Sequence, residues 1–186
     1  MDRQAALELL QKYTQKDGLL KHAYAVEAAM RAYAKKFNQD ETKFSIVGLL
    51  HDFDYEIYPS PDQHPEVGSH ILRDHGYPDD VIYAILSHAE YLGLARESLM
   101  DKTLFAVDEL VGFITAVTLV RPNKNIAEVK VSSVKKKLKD KRFASSIDRE
   151  HIQKGTQELG IDLDEHIAFI IEAMKSVSGL LGLDGP

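Results

Sequence analysis

The sequence has no cysteine among its 186 residues. Disulfides are therefore excluded, and a chain of this length can bury a sizeable core without them. Without thiolate ligands, iron–sulfur clusters and zinc-finger-type structural sites are excluded as well. Any metal must be bound by His, Asp or Glu, and the lack of cysteine favours a reducing, cytoplasmic location.

Long hydrophobic runs are also missing. The longest, LVGFITAVTLV at residues 110–120, is shorter than the roughly 20 residues of a membrane-spanning helix. The N-terminal segment MDRQAALELLQKYTQ is polar with an early acid, unlike a signal peptide. The formal net charge of -6 argues against a nucleic-acid partner. We therefore expect a soluble protein with no membrane partner.

No useful stretch alternates apolar and polar residues, and no Pro-, Gly- or Ser-rich linker is present. Instead, apolar residues recur at helical spacing. Helices are predicted at residues 2–14, 19–37, 41–51, 65–76, 79–91, 101–120 and 161–181. The sequence predicts an all-α fold of about eight helices. We expect one domain over residues 1–186, with a core at 18–120 and a C-terminal helical extension at 121–186.

Polar side chains interrupt the apolar faces of five segments. In chain order they are His22, His51 with Asp52, His64, His88 and Asp108. One histidine on an apolar face is usually a hydrogen-bonded core residue, whereas a buried carboxylate needs a cation or several donors. Because five segments share the same anomaly, we look for one shared cause. A divalent metal supplies it, since Asp and neutral His are good ligands.

The order and context of these residues resemble the HD superfamily of metal-dependent phosphohydrolases. The similar segments are KHAYAV, GLLHDFDYE, HPEVGSHIL, AILSHAEY and LFAVDELVGFITA, within about residues 18–120. HPEVGSHIL resembles the HP-x-x-G-x-x-IL segment of the subgroup called HDIG. The resemblance implies an HD-domain helical bundle with metal bound between helices.

The resemblance also implies the ligands. One metal would be held by His22, His51, Asp52 and Asp108. Family members that keep two intervening histidines, here His64 and His88, hold a second metal, which the HD aspartate bridges. The expected cofactor is one or two divalent ions (Mn, Fe, Mg, Ni, Co or Zn), with His51 and Asp52 assigned to the catalytic centre.

The chain departs from the HDIG pattern directly after Asp52. Phe53 and Asp54 stand where Ile-Gly would be. We interpret Asp54 and Glu56 as solvated turn residues, with a base beside the metal ligands as the alternative.

The segment VKKKLKDKRF is basic in an otherwise acidic chain. Such a run is usually a solvated helix face. The alternative hypothesis is that Lys136, Lys137, Lys139 or Arg121 binds a substrate phosphate. RNA binding is less favoured, because no aromatic residues are interleaved with the lysines.

The other histidines are interpreted as ordinary residues. We expect His70 and His75 on a partly exposed helix, and His151 and His166 among charges, with none of them a ligand. A separate apolar stripe is formed by Ile167, Ile170, Ile171 and Met174. We assign that stripe to the core, with a homodimer interface as the alternative.

Three functions fit these observations. The first is a phosphohydrolase that acts on a small phosphorylated substrate through a metal-activated water. The second is an HD-fold di-iron oxygenase, because imidazole and carboxylate suit iron equally well. The third is a non-enzymatic binding module, and the complete set of six ligand residues argues against it.

Overall fold

The computed structural model describes residues 2–186, and Met1, the first residue of the predicted domain, lies outside them. The described chain has ten α-helices and two short 3₁₀ turns but no β-sheet. The helices are α1 (Arg3–Tyr13), α2 (Asp17–Lys36), α3 (Glu41–Leu50), α4 (Glu66–Asp74), α5 (Asp79–His88), α6 (Leu99–Leu119), α7 (Val131–Leu138), α8 (Arg149–Leu159), α9 (Leu163–Lys175) and α10 (Ser178–Leu181). The predicted all-α fold is confirmed. Within residues 2–186 no helix combines the length and apolarity needed to cross a membrane.

Side-chain caps set several helix starts. Asp2 accepts a hydrogen bond from the Gln4 amide at the start of α1, and Asp40 caps α3. α6 begins two residues before the predicted Asp101. The Ser98 hydroxyl accepts from the Asp101 amide while the Asp101 carboxylate accepts from the Ser98 amide, which forms a capping box.

The core is built around α2 and α6. α3 and α9 pack on α2, while α5 and α8 pack on α6. The apolar stripe of α9 is fully buried within the chain, as its assignment to the core requires. That stripe therefore offers no surface for a homodimer. The homodimer itself stays a prediction. α7 to α10 all contact the central helices, an arrangement consistent with the proposed single domain.

α8 crosses α6 at very close range. A Cβ atom on Gly155 would lie 2.6 Å from the Cα atom of Ala106, so only glycine fits at this crossing. Asp108 lies two residues beyond Ala106 on α6, and His151 lies one turn before Gly155 on α8. The glycine contact therefore holds His151 in the same region of the molecule as Asp108.

The structure corrects the interpretation of His166. Its side chain is completely buried rather than placed among surface charges. The ring Nε2 lies 2.8 Å from the carbonyl oxygen of Ala106, and Nδ1 lies 2.6 Å from the Tyr33 hydroxyl. Because a carbonyl can only accept, Nε2 carries the proton and Nδ1 accepts from Tyr33. The neutral ring is thus fully hydrogen-bonded inside the core.

Burial lowers the pKa of His166 to about 4. An unfolded chain would bind a proton near pH 6.5, so the unfolded state takes up this proton first as the pH falls. The free energy of unfolding therefore has its full value above about pH 6.5. It falls by about 3 kcal/mol as the pH is lowered towards 4. We expect urea unfolding at pH 7, 6 and 5, in the presence of a chelator, to show this loss. His166→Gln, which keeps a donor and an acceptor but does not titrate, should show a shallower decline; equal declines would contradict the assignment.

Candidate metal centre

Five separate elements bring the six sequence-predicted residues together. His22 lies in the second turn of α2, and His51 with Asp52 directly follows α3. The remaining residues are His64 in the turn before α4, His88 at the end of α5 and Asp108 in the middle of α6. α3 can approach α2 closely because a Cβ on Gly48 would lie 2.9 Å from the Cα of Glu27. This approach carries His51 to His22.

The first group consists of His22, His51 and Asp108. The Nε2 atom of His22 lies 2.9 Å from Oδ1 of Asp108. The Nε2 atom of His51 lies 3.2 Å from Nε2 of His22 and 3.4 Å from the same oxygen of Asp108. Two imidazole nitrogens and one carboxylate oxygen therefore converge on a single point.

The second group consists of Asp52, His64 and His88. Oδ1 of Asp52 lies 3.2 Å from Nε2 of His64 and 3.4 Å from Nε2 of His88. The other oxygen, Oδ2, lies 3.5 Å from Nε2 of His51 in the first group. The Asp52 carboxylate therefore spans the two groups, with one oxygen facing each.

These separations fit metal ligation. Bonds of about 2.0–2.2 Å, at angles of about 90–110°, place neighbouring ligand atoms roughly 2.8–3.6 Å apart. All the separations above fall in that interval, and each group can hold a metal ion. His51 donates from Nδ1 to the carbonyl of Gly48 at 2.8 Å, and His88 does so to Ile85 at 2.5 Å. Each Nε2 lone pair is thereby directed towards its group.

A family model for the HD domain matches residues 19–111, which is half of the chain. The chain belongs to the HD domain family. HD domains are typical of metal-dependent phosphohydrolases and bind divalent metals, in agreement with the two His/Asp groups. Neither the curated proteins nor the solved structures contained a match. Assignment to the HDIG subgroup stays a prediction.

Asp54 of this HD domain is not a solvated turn residue. Its side chain is fully buried, and Oδ1 lies 2.7 Å from Nδ1 of His64. The other oxygen accepts a hydrogen bond from the backbone amide of Gly68 at 2.8 Å. Asp54 therefore orients the His64 ring so that Nε2 faces Asp52. Glu56 remains a turn residue, because it accepts from the amides of Gln15 and Lys16 between α1 and α2.

The carboxylates and imidazoles of the HD site favour each other's charged forms. Desolvation opposes the ionised form of Asp52, but His51, His64 and His88 outweigh it and hold the pKa well below its usual range. The same balance, with His51 and His22 as partners, lowers the pKa of Asp108. Burial would lower the pKa of His64, yet hydrogen bonds to Asp52 and Asp54 raise it to about 9. Both carboxylates are therefore ionised and suited to a cation.

A cavity of about 480 Å³ opens over the HD site. All the predicted ligands except the fully buried His51 contribute to its lining. Tyr91 forms one wall and donates a hydrogen bond to the His64 carbonyl at 2.5 Å. Among the described residues, none that lines this cavity is Lys or Arg.

His151 also lines the cavity, which the sequence interpretation missed. Its ring packs on Phe105, with centroids 5.2 Å apart. Its Nε2 atom lies 3.7 Å from Asp148 and 3.9 Å from Glu90, beyond hydrogen-bonding distance in both cases. The expectation of a charged neighbourhood was correct, but those charges lie at the rim of the HD site. A local pattern could not show this, because α8 is brought to the site by tertiary contacts, chiefly its packing on α6.

The four cationic residues named as phosphate ligands lie elsewhere. Lys136 and Lys139 line a separate cleft beside α7, and Lys137 lies over the ring of Phe143. Arg121 faces Glu128 at 3.8 Å. The lining of the HD cavity includes none of them, so their phosphate-binding role stays a prediction that the geometry does not support. His70 and His75 are exposed and lie outside both groups.

Proposed function

We propose that this HD domain is a metal-dependent phosphohydrolase that cleaves a phosphate ester of a small molecule or nucleotide. The observation that carries the proposal is the position of the Asp52 carboxylate, which belongs to the group with His64 and His88 and reaches His51 of the other group with its second oxygen. A cytoplasmic location is part of this proposal and rests on the absence of cysteine.

The six residues would ligate two metal ions. His22, His51 and Asp108 would hold one ion, and His64 and His88 the other, with Asp52 shared. A bound divalent ion supplies a water of lowered pKa and neutralises charge on phosphoryl oxygens.

The surrounding residues keep these ligands in place. The carbonyls of Gly48 and Ile85 fix the rings of His51 and His88, and Asp54 fixes His64. Because these three rings are held before substrate arrives, little reorganisation is needed at the reacting phosphate. The tyrosyl hydroxyl of Tyr91 is occupied by the His64 carbonyl, so Tyr91 supports the site rather than donating to the substrate.

His151 lines the cavity and its Nε2 atom lies beyond hydrogen-bonding distance of Asp148 and Glu90, so we propose that it donates a hydrogen bond to a phosphoryl oxygen. His151→Ala should lower kcat/KM for phosphate release roughly tenfold to a hundredfold, the value of one charge-assisted hydrogen bond. Metal content should stay the same, because His151 belongs to neither ligand group. The matched control is His70→Ala on the exposed face of α4. Equal activity of the two variants would contradict this role.

Phosphate release tests the proposed function. The metal-loaded protein is incubated with a panel of phosphate monoesters and nucleotides, and inorganic phosphate is measured. The Asp52→Ala protein, prepared identically, gives the background from contaminating phosphatases. Release above that background for at least one ester is expected. No release above background with Mn, Ni, Co, Zn, Fe or Mg would refute the proposal.

An HD-fold oxygenase is the second candidate. Each group has two histidines and one carboxylate, a set that is typical of non-haem iron sites. Oxygen consumption by iron-loaded protein with an added polyol or organophosphonate would favour it. Phosphate release that is unaffected by removal of oxygen would favour the hydrolase.

A further inference from the structure

A second cavity of about 380 Å³ adjoins the HD site. It lies between the start of α2, the second half of α6 and the segment around α10. His22 and Gly112 line both cavities, which therefore lie side by side.

One face of α6 runs from the first cavity into the second. Asp108 faces the first cavity, Gly112 lines both, and Thr115 and Leu119 line the second. The spacings of four, three and four residues keep them on one side of the helix. At 1.5 Å per residue, Thr115 lies about 10 Å beyond Asp108 along the axis. An elongated molecule with its phosphate at the metal ligands would therefore extend into the second cavity.

Gly112 places no side chain at the boundary between the two cavities. A Cβ atom on Gly112 would meet only Ile147 Cδ1, at an ordinary 3.6 Å, within 4 Å. Gly18, on the opposite wall, would meet nothing within 4 Å. Neither glycine is required by close packing, in contrast to Gly155. Gly112 therefore leaves room for a further carbon atom beside Ile147, and the space above Gly18 is open.

The walls of the second cavity are mainly apolar. Leu119, Leu181 and Leu183 line it; Leu119 is 47% exposed, whereas Leu181 and Leu183 are almost completely buried. The cation at its rim, Lys21, is paired with Asp17 at 2.8 Å. This charge balance does not suit a second phosphate group. Burial of hydrocarbon against Leu119 would be favourable.

We propose that the second cavity binds an apolar alkyl or aryl portion of the substrate, so that the preferred ester carries a compact hydrocarbon group about 6–16 Å from the metal ligands. The inference rests on the proposed function. It goes beyond the family match, because α10 and Leu183 lie outside residues 19–111.

Alkylphosphonates test the inference, since their carbon–phosphorus bond resists hydrolysis. Calorimetry measures binding of methyl-, butyl-, hexyl- and octylphosphonate to the manganese-loaded protein. Affinity should rise about two- to fourfold per methylene from butyl to octyl. Gly112→Leu, which places a large side chain at the boundary between the two cavities, should remove this dependence. Gly112→Ala, whose added atom makes only an ordinary contact, should retain it.

Leu119→Ser offers a second variant at an exposed position, and it should weaken the dependence on chain length. Circular dichroism and metal content confirm that each variant is folded. Equal affinity along the series for the unmodified protein would overturn the inference and leave the proposed function intact, as would an unchanged dependence in Gly112→Leu. Failure of methylphosphonate itself to bind, together with no phosphate release, would overturn both.

Discussion

Asp52→Ala is expected to lower kcat/KM for phosphate release by at least about 1,000-fold, equivalent to ~4 kcal/mol of transition-state stabilisation. Asp52 is the residue whose two oxygens face both ligand groups, at 3.2 Å from His64 and 3.5 Å from His51. Its loss removes a ligand from each ion and one of the two negative charges that favour cations at the site. Metal content, measured by mass spectrometry, should fall together with activity.

Asp74→Ala is the matched control, because Asp74 is an exposed aspartate at the end of α4 and lies outside both groups. Asp52→Asn distinguishes the loss of negative charge from the loss of the side chain, since the amide keeps the size of the carboxylate but not its charge. It should lose activity nearly as severely as the alanine variant. Full activity and full metal content in Asp52→Ala would contradict the assignment of the site.

Asp54→Ala should weaken binding of the ion at His64 and His88 about ten- to a hundredfold, while the ion at His22 is retained. The reason is that Asp54 accepts hydrogen bonds from His64 and from the Gly68 amide. Without it, the His64 ring loses its orientation and a buried amide is left unpaired. The unpaired amide should also cost about 1–3 kcal/mol of unfolding free energy. Two-site metal titration and urea unfolding measure the two effects.

Glu56→Ala is the control for this prediction. Glu56 lies two residues away, but it is bonded only to the amides of Gln15 and Lys16. Glu56→Ala should leave the affinity for the ion unchanged at both sites. Asp54→Asn should be intermediate, because an amide oxygen can still accept from His64 while its NH₂ group opposes the Gly68 amide. Equal loss at both ions in Asp54→Ala, or no loss at either, would contradict the orienting role.

The helices and the six His and Asp residues that converge in the fold could be predicted because both leave local signals. Apolar spacing indicated α2 and α6, and Asp2 and Asp40 marked helix starts. His51 and Asp52 stood out because polar groups at the end of an apolar run need a partner. Polar residues interrupt apolar faces in the same way at His22, His64, His88 and Asp108. One shared site was therefore the simplest explanation.

The residues around the ligands gave no such signal. Asp54 lies in a turn, where periodicity carries no information, and its partners lie 10 and 14 residues further along the chain. His151 and His166 are surrounded by charges in sequence, but the packing of α8 and α9 decides where their rings lie. The lysines of α7 look prominent in sequence, yet the fold directs them to another cleft. Contacts between helices, rather than local composition, set all of these outcomes.

Metal stoichiometry tests the central claim most directly. The protein is purified without added metal, reconstituted with divalent ions, freed of excess ion and measured by inductively coupled plasma mass spectrometry. The two ligand groups predict two ions per chain. A chain that retains no metal after reconstitution would contradict the account.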